Sequence, residues 1–170
     1  MEAEEFDEFY VASFDRLVAQ IYAMTGDRDE AQECVQEAFV RAWSHRRKLD
    51  RANAPEAWVR TTAYRLAVSR WRRTVKARRE PDRALQQRDD VEAVSADHVA
   101  LVRALQQLPE AQRRAVVLHH VCDLPVAAVA AETGVPEGTV KARLSRGRAA
   151  LLSLLSDDTG DGMTEGASHV

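Results

Sequence analysis

The stretch "PVAAVAAETGVPEGTVKARLSRGRAAL" spans Pro125–Leu151. It reads as helix, tight turn, helix. Ala130 is small where two helices must approach closely, and Gly134 follows four residues later, where the chain turns and a positive φ is accessible. Val140 stands six residues beyond Gly134 and packs back into the angle. Val126, Val129, Val140, Leu144 and Leu151 then form one shared core, which is the spacing of a helix-turn-helix.

In such a motif the second helix enters the major groove and its early residues meet base edges. With Val140, Leu144 and Leu151 facing inward, Lys141, Ser145 and Arg148 share one outward line, and Thr139, Arg143 and Arg146 share another. Arginine pairs bidentately with guanine, and lysine or serine reaches several acceptors. The backbone amides of Gly138 and Thr139, at the helix start, suit a phosphate oxygen. A merely solvated basic face is the plain alternative. The coincidence of small residue, glycine turn and cation placement argues against it.

Outward from this motif the chain reads as all-α. Glycine and proline are few, and alanine, leucine, arginine and glutamate favour helix. Alternating β-branched runs are hard to find. The expected architecture is two small helical domains joined by a flexible linker. The first domain covers residues 1–75, the linker 76–97 and the second domain 98–155, and residues 156–170 form a disordered acidic tail.

Aromatic and aliphatic residues from Phe6 to Ile21 recur at helical spacing in a first helix, Glu5 to Met24. Asp27 or Asp29 caps a second helix that runs to about Trp43, with Ala31, Val35, Ala38, Phe39 and Ala42 as its buried stripe. Its other face carries Glu33, Glu37 and Arg41 at i, i+4 spacing, with Gln36 beside them. Pro55 opens a third helix, on which Trp58, Thr62, Leu66 and Ser69 lie near one line and Arg60, Arg65, Arg70, Arg72 and Arg73 cover the rest.

The formal net charge of -3 conceals blocks: residues 1–40 carry -9 and residues 41–79 carry +11. Two basic zones separated by an acidic one point to two separate polyanion contacts. The cysteines Cys34 and Cys122 lie far apart on apolar patterns and read as buried free thiols. "HHVC" places His119, His120 and Cys122 close together, but the histidines fall on different helix faces and lack a second ligand pair, so no metal site is expected. No cofactor is expected either. Phosphate loops and the GxSxG and HExxH motifs do not occur, so the chain reads as no enzyme. The N-terminus is acidic and no apolar run reaches the ~20 residues that span a membrane, so a cytoplasmic protein without membrane contact is expected.

Three segments resemble a known family. "AQECVQEAFVRAW" resembles the core-binding helix of region 2 in bacterial sigma factors, and "APEAWVRTTAYRLAVSRWRR" resembles the promoter -10 segment. "LPEAQRRAVVLHHVCDLPVAAVAAETGVPEGTVKARLSRGRAAL" resembles region 4. Their order and spacing are similar to those of an extracytoplasmic-function (ECF, group IV) RNA polymerase sigma factor of the sigma-70 family, over about residues 5–155.

The resemblance implies that the chain joins core bacterial RNA polymerase and directs promoter-specific transcription initiation. Glu33, Gln36, Glu37 and Arg41 would meet the clamp helices of the largest subunit. Arg60, Arg65, Ser69, Arg70, Arg72 and Arg73, with the loop Leu49–Ala57, would hold the melted -10 strand. Gly138, Thr139, Lys141, Arg143, Ser145, Arg146 and Arg148 would read the -35 duplex, and the second domain would touch the flap of the second-largest subunit. An inhibitory anti-sigma partner is common in the family. Arg65, Ser69 and Trp71 depart from the family's usual Asn, Asp and small aliphatic residue, so its -10 base preference does not carry over. A stand-alone helix-turn-helix regulator is the alternative, and a phosphoreceiver half with alternating strands and helices would distinguish it.

Overall fold

A computed structural model of the chain describes residues 1–49, 54–77 and 95–160. Every regular element among them is helical, and the chain divides into two compact units within Met1–Glu92 and Ala93–Val170.

The first unit is a three-helix bundle of α1 (Ala3–Thr25), α2 (Arg28–His45) and α3 (Pro55–Ala77). The Glu5 carboxylate accepts from the Glu2 amide at 3.1 Å and helps to start α1. Gly26 ends it at φ 77°, a left-handed conformation that glycine adopts without a Cβ penalty. One residue later the Asp27 side chain accepts from the Glu30 amide at 3.0 Å and opens α2. The tight α1–α2 corner therefore follows from Gly26-Asp27.

Leu17, Ile21, Ala31, Cys34, Val35, Ala38, Ala42, Val59 and Ala63 are wholly buried. Most of them are small, so the helices approach closely and lose little rotamer entropy on folding. At one end of the bundle Phe39 is ringed by Phe6, Phe9, Tyr10 and Phe14, with centroids 6.1, 5.5, 4.9 and 6.1 Å away. Such pairs contribute about 0.5–1.5 kcal/mol each beyond their buried area.

The buried stripe of α2 is as expected, with Cys34 added. That of α3 is Val59, Ala63, Tyr64 and Ala67, displaced from the line Trp58, Thr62, Leu66 and Ser69. The smaller alanines take the positions nearest the other helices. Arg60 is also buried, only 3% exposed, and its Nη1 donates to Oε1 of the equally buried Gln20 at 3.2 Å.

The second unit holds α4 (Ala96–Gln106), α5 (Glu110–Val116), α6 (Val126–Thr133) and α7 (Glu137–Gly160). The Ser95 hydroxyl caps α4. Between α5 and α6 the chain makes a π-helical turn, Val117–Val121, closed by the Cys122 amide on the Val117 carbonyl at 2.9 Å. The apolar spacing of this segment resembles that of an ordinary helix, and nothing in the sequence marks the wider turn.

Gly134 turns the chain at φ 70°, and its amide and that of Val135 both donate to the Ala130 carbonyl, at 2.9 and 3.2 Å. Val129, Val140 and Leu144 are buried behind this turn as expected, while Val126 and Leu151 are only half-buried. Helix α7 continues through Gly160, so residues 156–160 are helical where a disordered tail was expected. Residues 161–170 of that tail and the linker residues 78–94 lie outside the described residues, and α3 and α4 reach into the expected linker as far as Ala77 and from Ala96.

Candidate nucleic-acid interface and an acidic docking face

In the second unit, α7 presents its first turns outward because Val140 and Leu144 anchor it from behind. Lys141, Ser145, Arg146 and Arg148 are exposed along that outward side, as is Gly138, while Thr139 and Arg143 are half-buried at its margin. The Thr139 amide donates to the Pro136 carbonyl at 3.0 Å, so it is engaged rather than open to a phosphate as expected. The cations stand on a preformed rigid helix, so little further ordering is needed to meet a polyanion.

His119 and His120 are consecutive residues of the π turn. Their rings meet edge-on at 4.7 Å, and His119 Nδ1 donates to the Leu124 carbonyl at 2.7 Å. Burial, with His119 and Arg148 nearby, holds His120 below the usual imidazole range. No group of three metal-ligating side chains occurs among the described residues.

In the first unit, α3 carries no acid after Glu56. Arg65, Ser69, Arg72, Arg73 and Lys76 recur at the spacing of one helix face. Arg65, Arg72, Arg73 and Lys76 are exposed, and Arg73 Nη2 donates to Ser69 Oγ at 3.4 Å. Trp71 and Val75 stand 65% and 52% exposed near the same end.

Two arginines expected to meet the -10 strand are engaged elsewhere. Arg60 lies in the core against Gln20, because its position faces α1. Arg70 turns toward α2, where its guanidinium pairs with Glu30 at 3.4 Å, Glu33 at 3.0 Å and Glu37 at 2.9 Å. Within the expected loop Leu49–Ala57, Leu49 is buried and Ala54 takes φ 45° ahead of α3, but residues 50–53 lie outside the described residues. His45 and Trp58 face each other beside that loop, with ring centroids 5.7 Å apart, which the sequence reading missed.

The outer face of α2 shows Glu33 and Gln36 exposed, with Glu37 joined to Arg41 at 2.6 Å. The Arg41 hydrogen bond, then Arg70, holds the Glu37 carboxyl below its ordinary range against the opposing effect of burial. Val40 is 68% and Trp43 40% exposed on this helix, and the Arg46 guanidinium lies 4.0 Å over the Trp43 ring. The face thus combines fixed carboxylates with exposed apolar area. That composition suits a protein surface with complementary positive charge better than a nucleic acid.

Residues 9–77 match the family model "Sigma-70 region 2", and residues 98–151 match "Sigma-70, region 4". The ECF RNA polymerase sigma factor SigL of Mycobacterium tuberculosis is 30% identical over 127 residues, covering 71% of this chain and 72% of SigL. SigW of Bacillus subtilis, also an ECF RNA polymerase sigma factor, is 29% identical over 84% of each chain. Among solved structures, the sigma factor RpoE of Bartonella quintana, in complex with the anti-sigma factor NepR, aligns at TM-score 0.79. It is 24% identical, covering 91% of this chain and 98% of RpoE. CnrH, in complex with the cytosolic domain of CnrY, aligns at 0.70 with 19% identity over 92% and 91% of the two chains.

Proposed function

We propose that this chain, which belongs to the extracytoplasmic-function sigma factors of the sigma-70 family, binds core RNA polymerase and directs it to specific promoters. Docking to the largest subunit's clamp helices falls to Glu33, Gln36, Glu37 and Arg41 on α2. The -10 strand falls to Arg65, Ser69, Arg72 and Arg73 on α3. The -35 duplex falls to Gly138, Lys141, Arg143, Ser145, Arg146 and Arg148 on α7, with Thr139 contributing its side chain. The second unit would also meet the polymerase flap. The role is binding and positioning, not catalysis, on the cytoplasmic polymerase.

One observation carries this reading. A single chain joins an acidic, partly apolar docking face to two separately folded helices whose exposed faces are cationic. A stand-alone regulator needs only the second unit and leaves the α2 face without a purpose.

RpoE and CnrH are each bound to a further protein in their structures, and only RpoE's partner is called an anti-sigma factor. We extend to this chain the capture by an anti-sigma protein named for RpoE.

Titration of core polymerase with the labelled full chain tests the docking assignment. Glu37→Lys places a cation where a positive surface should dock and should weaken binding by about tenfold or more. Unchanged affinity would remove α2 from the interface.

A further inference from the structure

Arg70 stands apart from the cations that face outward on α3. Its position continues the line of Val59 and Ala63, which are buried where α3 packs in the bundle. Glu30, Glu33 and Glu37 share one side of α2 and converge on it. Nη1 donates to Glu30 Oε1 at 3.4 Å and to Glu33 Oε2 at 3.0 Å, and Nη2 donates to Glu37 Oε2 at 2.9 Å. The other Glu37 oxygen accepts from Arg41 at 2.6 Å.

Three carboxylates on successive turns repel one another, and one planar, multiply donating cation offsets that repulsion in a fixed geometry. A lysine ammonium is a point charge and cannot span the same three acceptors as well. The Glu33 side chain is still 65% exposed, and those of Glu30, Glu37 and Arg70 are about one-third exposed. Ion pairs with this much solvent contact stabilise a fold only slightly. Their consequence is orientation: two long acidic side chains are ordered before any partner arrives, so docking does not have to order them.

Resting on the reading of α2 as the polymerase-docking face, we infer that Arg70 is a positioning residue for docking. Its guanidinium holds Glu33 and Glu37 in the orientation that a basic polymerase surface meets, and it makes no contact with promoter DNA.

The test uses the full chain and core polymerase, with Arg70→Gln, Arg70→Lys, Glu33→Gln and the Arg70→Gln/Glu33→Gln pair. Arg70→Gln should weaken core affinity about five- to tenfold and Arg70→Lys by less. Glu33→Gln should cost less in the Arg70→Gln background than alone, because the two act through one network. At saturating core, promoter affinity and its salt dependence should match the wild type.

A promoter salt slope reduced by about one would make Arg70 a phosphate contact and overturn the inference. Strictly additive losses would also overturn it, by making Arg70 a clasp between helices with no effect on Glu33. If Arg70→Gln does not melt cooperatively, Arg70→Lys decides: wild-type core affinity in that variant overturns the inference. Loss of binding in Glu37→Lys with none in either Arg70 variant would sink this inference alone. No loss in Glu37→Lys would sink the docking face itself.

Discussion

Gly147 of α7 lies directly against Val116 of α5: a β-carbon there would stand 2.6 Å from Val116 Cγ2. That contact seats α7 on the helix behind it. Gly147→Ala should gain up to about 1 kcal/mol in helix propensity and lose about 1–3 kcal/mol to overpacking. A lowered thermal midpoint of the second unit checks this. Gly138→Ala, where open space surrounds the added carbon, should not lower it.

Lys141→Ala combined with Arg146→Ala should abolish promoter-specific transcription. Both side chains are exposed and leave the core behind α7 untouched. If each makes a specific base contact worth about 1–3 kcal/mol, the pair removes about 2–6 kcal/mol, much of the roughly 4–10 kcal/mol by which a specific site outcompetes random DNA. Core polymerase affinity, measured in parallel, should be unchanged.

Arg60 and Arg72 separate fold from function on the same helix. Arg60→Ala leaves the buried Gln20 amide without its donor and should destabilise the first unit by about 1–3 kcal/mol. Exposed Arg72, changed to Ala, should leave chemical denaturation nearly unchanged and weaken holoenzyme binding to a melted -10 strand. The opposite pattern would return Arg60 to the exposed cationic face of α3.

Burial, with the Glu30 carboxylate beside it, pushes the Cys34 thiol up to about 12. A raised value means that the fold favours the neutral thiol. That contribution is complete below the unfolded thiol's value of about 8.5 and is lost as pH rises toward the folded one. Alkaline destabilisation should therefore be smaller in Cys34→Ala than in the wild type, once compared with each protein's own stability at pH 7. In thiol-labelling kinetics, half-buried Cys122 should react well before fully buried Cys34.

The helix-turn-helix was legible because Ala130, Gly134 and Val140 each serve a local need: a close approach, a positive φ and a packed angle. Local patterns also placed α2 and its acidic face. The fates of Arg60 and Arg70 were not legible, since composition marks an arginine as cationic whether it faces solvent, Gln20 or three carboxylates. Only the packing of α3 against α1 and α2 separates those cases. The π turn escaped because its apolar residues keep a helical rhythm and nothing in the local sequence marks the wider ring.

On the proposed function, this chain makes core polymerase promoter-specific. Run-off transcription with core bacterial RNA polymerase and a pool of promoter fragments, with and without the full chain, tests it most directly. Transcripts should start only when the chain is present, from templates sharing one -35 and one -10 sequence, and should disappear with Lys141→Ala/Arg146→Ala. Core polymerase that binds the chain yet starts no new transcript from any template in the pool would contradict it.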